Sequence, residues 1–175
     1  MDARFGFIHS KLDIKILILY ILQQLPQAVD GDTLADLTLC DDGISFFEYA
    51  ECLSELVASG HVEECEDQYK ITEKGMRNGK VTESGLPYSV RLLAGRNASK
   101  LATKMERDAM ISASHEIRSR GGYTIKLAMS DGIGPIMSME LLCGSDGEAE
   151  VIEQNFRKNA ENLYHAFLDL LLEEK

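Results

Sequence analysis

Basic residues are absent from a long part of this 175-residue chain. Neither Lys nor Arg occurs from residue 16 to residue 69, whereas the same stretch contains twelve Asp and Glu residues. Nucleic acids and anionic membranes attract basic surfaces, so this stretch is a poor match for either. The missing cations therefore argue against a general affinity of the N-terminal half for polyanions.

Catalytic and metal-binding motifs are absent as well. The four cysteines form no C-x-x-C pair and no other metal-ligand spacing, so we expect reduced thiols and no metal site. The four histidines are scattered, and no H-E-x-x-H, G-x-S-x-G or phosphate-binding glycine loop occurs. We therefore expect a protein that is not an enzyme and that uses no cofactor.

Long apolar runs are also lacking. The longest, residues 14–22, is interrupted by Lys15 and is too short to cross a bilayer. Residues 1–10 lack the basic start and the apolar core of a secretion signal. We therefore expect a cytoplasmic protein that does not enter the membrane.

The charge that is present is distributed in blocks. Residues 70–126 contain twelve basic and five acidic residues, and residues 127–175 contain ten acidic and three basic residues, within a net charge of -11. With 45% hydrophobic and 27% charged residues, the composition is that of a globular protein, and the length allows two small domains.

Hydrophobic periodicity predicts three helices, a β-hairpin and a fourth helix in the first half. The first helix runs to Pro26, and Asp32 can cap a short second helix. Ser45 can cap a third helix that ends at Gly60 and buries Phe46 or Phe47 together with Ala50, Leu53 and Val57. The hairpin turns at Glu66 and Asp67, and Thr72 caps the fourth helix. Gly and Pro in residues 79–87 mark a boundary, which gives a first domain of residues 10–82.

The second half predicts an α-β-β-α domain over residues 88–175. Its elements are a long helix from Tyr88 to Arg118, strands at residues 123–129 and 137–143, and a last helix capped by Ser145 or Asp146. A two-stranded hairpin between two helices is marginal alone, and its edges can pair with other strands. We therefore expect an α+β protein whose C-terminal domain forms a homodimer.

Two segments carry a resemblance to known proteins. L-S-E-L-V-A-S-G-H-V at residues 53–62 and Y-K-I-T-E-K-G at residues 69–75 resemble winged-helix transcription regulators of the PadR and MarR kind. As a whole, the chain looks like an uncharacterised bacterial family that joins a winged helix-turn-helix domain to a C-terminal helix, hairpin and helix. The resemblance implies a dimeric regulator that binds double-stranded DNA.

In such regulators, the third helix enters the major groove and the hairpin, or wing, lies along the phosphates. Residues on these elements and the basic residues near them are the candidate DNA contacts. They are Lys11, Lys15, Ser45, Tyr49, Gln68, Lys70, Lys74, Arg77 and Lys80.

The charge of the same surface favours a different function. We expect Glu48, Glu51 and Glu55 to point away from the core on the third helix, and the wing carries further acidic residues, Glu63, Glu64, Glu66 and Asp67. Such a surface repels phosphates and suits a basic protein partner. The alternative is therefore a protein-interaction or scaffold module that does not bind DNA.

Overall fold

The computed structural model describes residues 6–173 and divides into two compact units, Met1–Met105 and Glu106–Lys175. Residues 6–173 contain six α-helices and two three-stranded antiparallel sheets, as expected for a mixture of α and β structure. In chain order the elements are α1 (Lys11–Leu22), β1 (Val29–Asp30), α2 (Gly31–Thr38), α3 (Phe46–Ala58), β2 (Val62–Cys65), β3 (Gln68–Ile71), α4 (Glu73–Thr82), a 3-10 turn (Glu83–Gly85), α5 (Tyr88–Ala109), β4 (Ile111–Ile117), β5 (Tyr123–Ser130), β6 (Pro135–Cys143) and α6 (Asp146–Leu172).

Side-chain caps fix the helix starts in the N-terminal unit. Ser45 caps α3 in a reciprocal capping box with Glu48, and Thr72 caps α4, as predicted. The cap of α2 is Asp30 rather than Asp32, because the Asp30 carboxylate accepts a hydrogen bond from the Thr33 amide at 2.7 Å. Gly60 follows α3 with a φ of +69°, the left-handed conformation that favours glycine after a helix.

The predicted hairpin is confirmed, and it belongs to a three-stranded sheet. The strand order is β1-β3-β2, in which Tyr69 of β3 pairs with Val29 on one side and with Glu64 on the other. Glu66 and Asp67 form the turn with φ values of +50° and +60°. Such a turn matches the twist of the two strands, although Asn and Gly adopt it at lower cost.

Helix α1 lies at the centre of the N-terminal core, with Leu17, Ile18 and Ile21 fully buried. Helix α3 buries Tyr49, Cys52, Leu53 and Leu56 against this core. The expectation that Phe46 or Phe47 and Ala50 are buried was wrong, because all three are exposed, whereas the expected burial of Leu53 is confirmed. Phe47 lies opposite the buried face of α3, and Phe46 lies at its edge in the first turn, three residues before Tyr49.

The C-terminal unit contains one strand more than predicted. Residues 111–117 form β4 instead of continuing the preceding helix, so the order after α5 is β-β-β-α and the predicted α-β-β-α order was wrong. Strand β4 pairs with β5 from Ile111 opposite Met129 to Ile117 opposite Tyr123. This pairing buries Ile111 and Ala113 on the sheet face, which outweighs the helical spacing of the same residues.

Helix α6 covers one face of the β4-β5-β6 sheet and buries Ala149, Phe156 and Ala160 against it. The division between the two compact units falls at residues 105 and 106, within α5. The predicted division into a winged-helix domain of residues 10–82 and a second domain of residues 88–175 stays a prediction. Residues 174 and 175 of that second domain lie outside the described residues.

Candidate functional site

An open groove of about 320 Å³ lies between α3, the start of α2 and the β2–β3 hairpin. Apolar and small side chains of α3 form one wall, and Tyr69 of β3 contributes to the other. Three acidic residues, Asp32, Glu64 and Asp67, also line the groove. None of the residues that line it is Lys or Arg, so the groove combines an apolar wall with negative charge.

The apolar wall follows from how α3 begins and which face it buries. Its capping box starts the helix at Phe46, and burial of Tyr49, Cys52 and Leu56 turns the opposite side toward solvent. Phe47 and Ser54 lie on this opposite side, and Phe46 and Ala50 lie between it and the buried face. All four are exposed, Phe46 to 63% and Phe47 to 77%. Exposed aromatic side chains are enriched at protein interfaces, so this face is suited to apolar contact with a partner.

The acidic groups of the groove act on two tyrosines inside it. The pKa of Tyr49 is raised, first by burial and then by Tyr69 and the carboxylates of Asp30, Asp32 and Asp67. Burial also raises the pKa of Tyr69, and Glu64 and Asp67 raise it further. These shared effects indicate that the hairpin and the start of α2 direct their negative charge toward the same end of the groove.

The first two basic residues predicted to contact DNA are paired with acidic residues of α3. The Lys11 ammonium lies 2.5 Å from a Glu51 carboxylate oxygen, and Lys15 forms an ion pair with Glu55. The hydrogen bond from Lys11 to Glu51 raises the pKa of Lys11, and the one from Lys15 lowers the pKa of Glu55. Lys11 and Lys15 of the predicted DNA contacts and Glu51 and Glu55 of the predicted protein contacts therefore neutralise each other between α1 and α3.

The remaining residues of the predicted α3 contacts have structural roles. Ser45 and Glu48 hydrogen bond to each other in the capping box, with 2.7 Å between the Ser45 hydroxyl and the Glu48 carboxylate. Tyr49 is only 3% exposed, and its hydroxyl donates to the Gly31 carbonyl at 3.4 Å. Tyr49 therefore lies in the core rather than on the surface that a DNA contact requires.

The other predicted contacts lie on β3 and α4, outside the groove. Gln68, Lys70, Arg77 and Lys80 are exposed. Lys74 is exposed too, and its ammonium donates to the Ser59 carbonyl at 2.7 Å, where it stabilises the end of α3. The structure thus separates this basic group from the acidic groove.

Sequence reasoning missed the groove residues Phe46, Ala50, Asp32 and Tyr69. One available signal was the spacing of four residues that separates Lys11 from Lys15 and also Glu51 from Glu55. Two packed helices whose charged residues have the same spacing can form two ion pairs. That match would have placed the glutamates beside α1 and left the neighbouring α3 face, with its phenylalanines, exposed.

Within residues 6–173, no group of three or more His, Cys, Asp or Glu side chains is placed to hold a metal ion. Over the same residues, no helix has both the length and the apolar character needed to span a membrane.

Comparison with known proteins identifies a family. The model of a family described as "Domain of unknown function (DUF4364)" matches residues 14–171. The chain belongs to this family. The DUF4364 match extends over most of both compact units, and the family description names no activity. No curated protein and no solved structure shows significant similarity to the chain.

Proposed function

We propose that the N-terminal unit is a winged-helix module that binds a basic, amphipathic segment of a partner protein in the acidic groove. The order helix, strand, helix, helix, hairpin, helix and the sheet order β1-β3-β2 support the winged-helix arrangement. The resemblance of residues 53–62 and 69–75 to PadR and MarR regulators supports it too. The proposal includes a cytoplasmic location and assigns no catalysis.

One observation favours a protein over DNA as the partner. The groove between α3 and the hairpin has no Lys or Arg among its lining residues. A winged helix that reads DNA places this surface against phosphates, which requires cations there. Here Lys11 and Lys15 are paired with Glu51 and Glu55, so they offer little net charge to a phosphate.

The groove also defines the chemistry of its partner. The exposed ring of Phe46 and the small side chain of Ala50 favour apolar contact, whereas Asp32, Glu64 and Asp67 favour Lys or Arg. A short helix with apolar residues on one face and basic residues beside them meets both requirements.

The turn of the hairpin gives independent support. Glu66 and Asp67 both adopt positive φ, where Asn and Gly are favoured. Backbone conformations of this kind cost free energy and are concentrated at functional sites. Two acidic side chains at such positions are consistent with a role for their charge.

Fluorescence anisotropy with a labelled model helix built from Leu and Lys tests the proposal. We expect binding by the full-length protein and a loss of at least tenfold in affinity for Ala50→Arg, since the new side chain occupies the groove and repels the peptide. The matched control is Ser99→Arg, at an exposed helical position outside the groove, and it should bind as the wild type does. Equal binding by the two variants, or none by the wild type, would reject the proposal.

A second candidate function has one observation in its favour. Lys70, Lys74, Arg77 and Lys80 are all exposed on β3 and α4, and they could meet DNA phosphates in a dimeric regulator that docks through this side of the unit. Duplex DNA titrated over a salt series tests it. Binding with a steep salt dependence that the double variant Lys74→Glu/Arg77→Glu abolishes, and that Ala50→Arg leaves unchanged, would favour this second function.

A further inference from the structure

The apolar face of the C-terminal sheet is only partly covered by α6. One edge of the helix lies over β4, where polar contacts close the junction: His115 bonds to Glu153, and Arg157 donates to the Ala113 carbonyl at 2.6 Å. The other edge faces β6, where an open groove of about 360 Å³ remains between helix and strand.

This second groove, here called the β6 groove, is apolar and carries no charged residue among those that line it. Met139 and Leu141 of β6 form one side, and Ile152, Leu163 and Phe167 of α6 form the other. Leu141 is 42% exposed and Phe167 is 41% exposed. Exposure of large apolar side chains to water along one groove is unfavourable in free energy. A partner that covers them removes this cost.

We propose that the β6 groove is the homodimer interface of this protein and that its occupant is α6 of a second copy. The absence of charge supports a second copy. Each chain carries a net charge of -11, so two copies repel each other at most surfaces and approach at lowest cost where acidic groups are missing. A basic partner, in contrast, gains nothing from a groove without carboxylates.

The last turns of α6 carry exposed apolar side chains that can fill the groove of another copy. Leu170 and Leu171 are exposed and, at three and four residues after Phe167, continue the apolar surface that begins there. In a twofold dimer the same surface is used by both copies, so each α6 can cover the groove of the other while its own is covered.

The size of the C-terminal core gives a further reason for a second copy. Its buried cluster consists of nine residues, of which three are alanines, in a unit of about 70 residues, and cores of such units rarely supply much stability by themselves. Burial of the β6 groove in a dimer adds apolar contact next to this core. The proposal concerns a different unit from the proposed function and does not depend on it.

Sedimentation equilibrium of the full-length protein over a range of concentrations tests the interface. We expect twice the chain mass for the wild type and the single-chain mass for Leu141→Glu and for Phe167→Glu, which place a charge on opposite sides of the groove. The matched control is Leu142→Glu. Leu142 is the next residue on β6, is 66% exposed, and pairs with Thr124 on the opposite face of the sheet, so this variant should remain dimeric.

Far-UV circular dichroism shows whether each variant is folded, and Phe167→Glu keeps the test valid if Leu141→Glu does not fold. A monomeric wild type would overturn the proposal. A folded Phe167→Glu that remains dimeric, or loss of the dimer in Leu142→Glu as well, would overturn it too.

Discussion

The carboxylate of Asp41 fixes a segment that is distant in sequence. It accepts hydrogen bonds from the backbone amides of Phe7, Ile8 and Gly43, at 3.0 to 3.2 Å. Ile8 is fully buried in the core, so these bonds both satisfy buried amides and hold an apolar side chain in place. Sequence reasoning assigned Asp41 only to a polar turn, because Phe7 and Ile8 lie more than thirty residues away from it.

Loss of the Asp41 carboxylate should destabilise the protein. Asp41→Ala should lower the free energy of unfolding by about 2 kcal/mol, because it leaves buried amides without acceptors. Chemical denaturation of the full-length protein measures the change. Asp42→Ala, at the exposed neighbouring position, should change it by less than about 0.5 kcal/mol. Equal effects of the two substitutions would contradict this role of Asp41.

Among the secondary-structure elements, β4 and α6 are joined in part by one imidazole of β4 that forms two hydrogen bonds. Both ring nitrogens of His115 bond to carboxylates of α6, Nδ1 to Glu153 at 2.6 Å and Nε2 to Asp146 at 3.0 Å, and the ring of Tyr123 on β5 packs against it. The hydrogen bonds to Glu153 and then Asp146 raise the pKa of His115 above its ordinary value of 6.5. The protonated ring therefore donates from both nitrogens.

A pH dependence of stability follows from this contact. Because the pKa is raised in the folded state, the contribution of His115 is fully present below about pH 6.5 and is lost as the pH rises through the higher, folded-state pKa. The difference in melting temperature between wild type and His115→Asn should therefore shrink as the pH rises. His165→Asn, at an exposed position of α6, is the control and should show no such trend. A difference that stays constant or grows with pH would contradict the role of His115.

Substitutions in the turn of the β2–β3 hairpin are expected to stabilise the protein. Replacing Glu66 by Asn and Asp67 by Gly should raise the free energy of unfolding by about 1 kcal/mol, because these residues adopt positive φ more readily. Affinity for the basic peptide should fall at the same time, since a groove carboxylate is lost. Glu63→Asn, an exposed strand substitution, should not be stabilising. Unchanged peptide affinity in the stabilised double variant would count against a role for the turn.

Most elements could be predicted because they carry local signals. Ser45, Gly60, Thr72 and Ser145 mark helix ends by short-range hydrogen bonds or backbone conformation. The first three were identified from the sequence, and Ser145 was one of two alternatives with Asp146. The first error concerned β4, which was predicted as part of the preceding helix. Its alternation of apolar residues with small and polar ones is weak, and no stop signal separates it from that helix. Its strand conformation is decided by pairing with β5, which the local sequence does not encode.

The second error explains why the candidate site was predicted only in part. Helix α3 has apolar residues on more than one face, so its periodicity is compatible with burial of Ala50, Leu53 and Val57 as well as with the observed burial of Tyr49, Cys52, Leu53 and Leu56. Packing against α1 and the ion pairs of Lys11 and Lys15 select the face with Tyr49. The acidic character of the surface was evident from the sequence, whereas the exposed aromatic wall required the fold.

At the scale of the whole molecule, charge is distributed unevenly between the acidic groove of the N-terminal unit and the β6 groove. The groove of the N-terminal unit has carboxylates and no cation in its lining, which favours a basic protein segment. The β6 groove has no charged lining residue, which favours a second copy of a chain with net charge -11. Net charge alone would have hidden this difference.

The central claim is that negative charge at the N-terminal groove selects a basic protein segment instead of DNA. The most direct measurement compares wild type with Glu64→Lys/Asp67→Lys and with a control of equal net charge, Glu106→Lys/Glu150→Lys, against the Leu and Lys helix, its Leu and Glu counterpart, and duplex DNA. We expect wild type and control to bind only the basic helix, and Glu64→Lys/Asp67→Lys to lose that binding. Binding of wild type to DNA in preference to the basic helix, or equal losses in both variants, would contradict the claim.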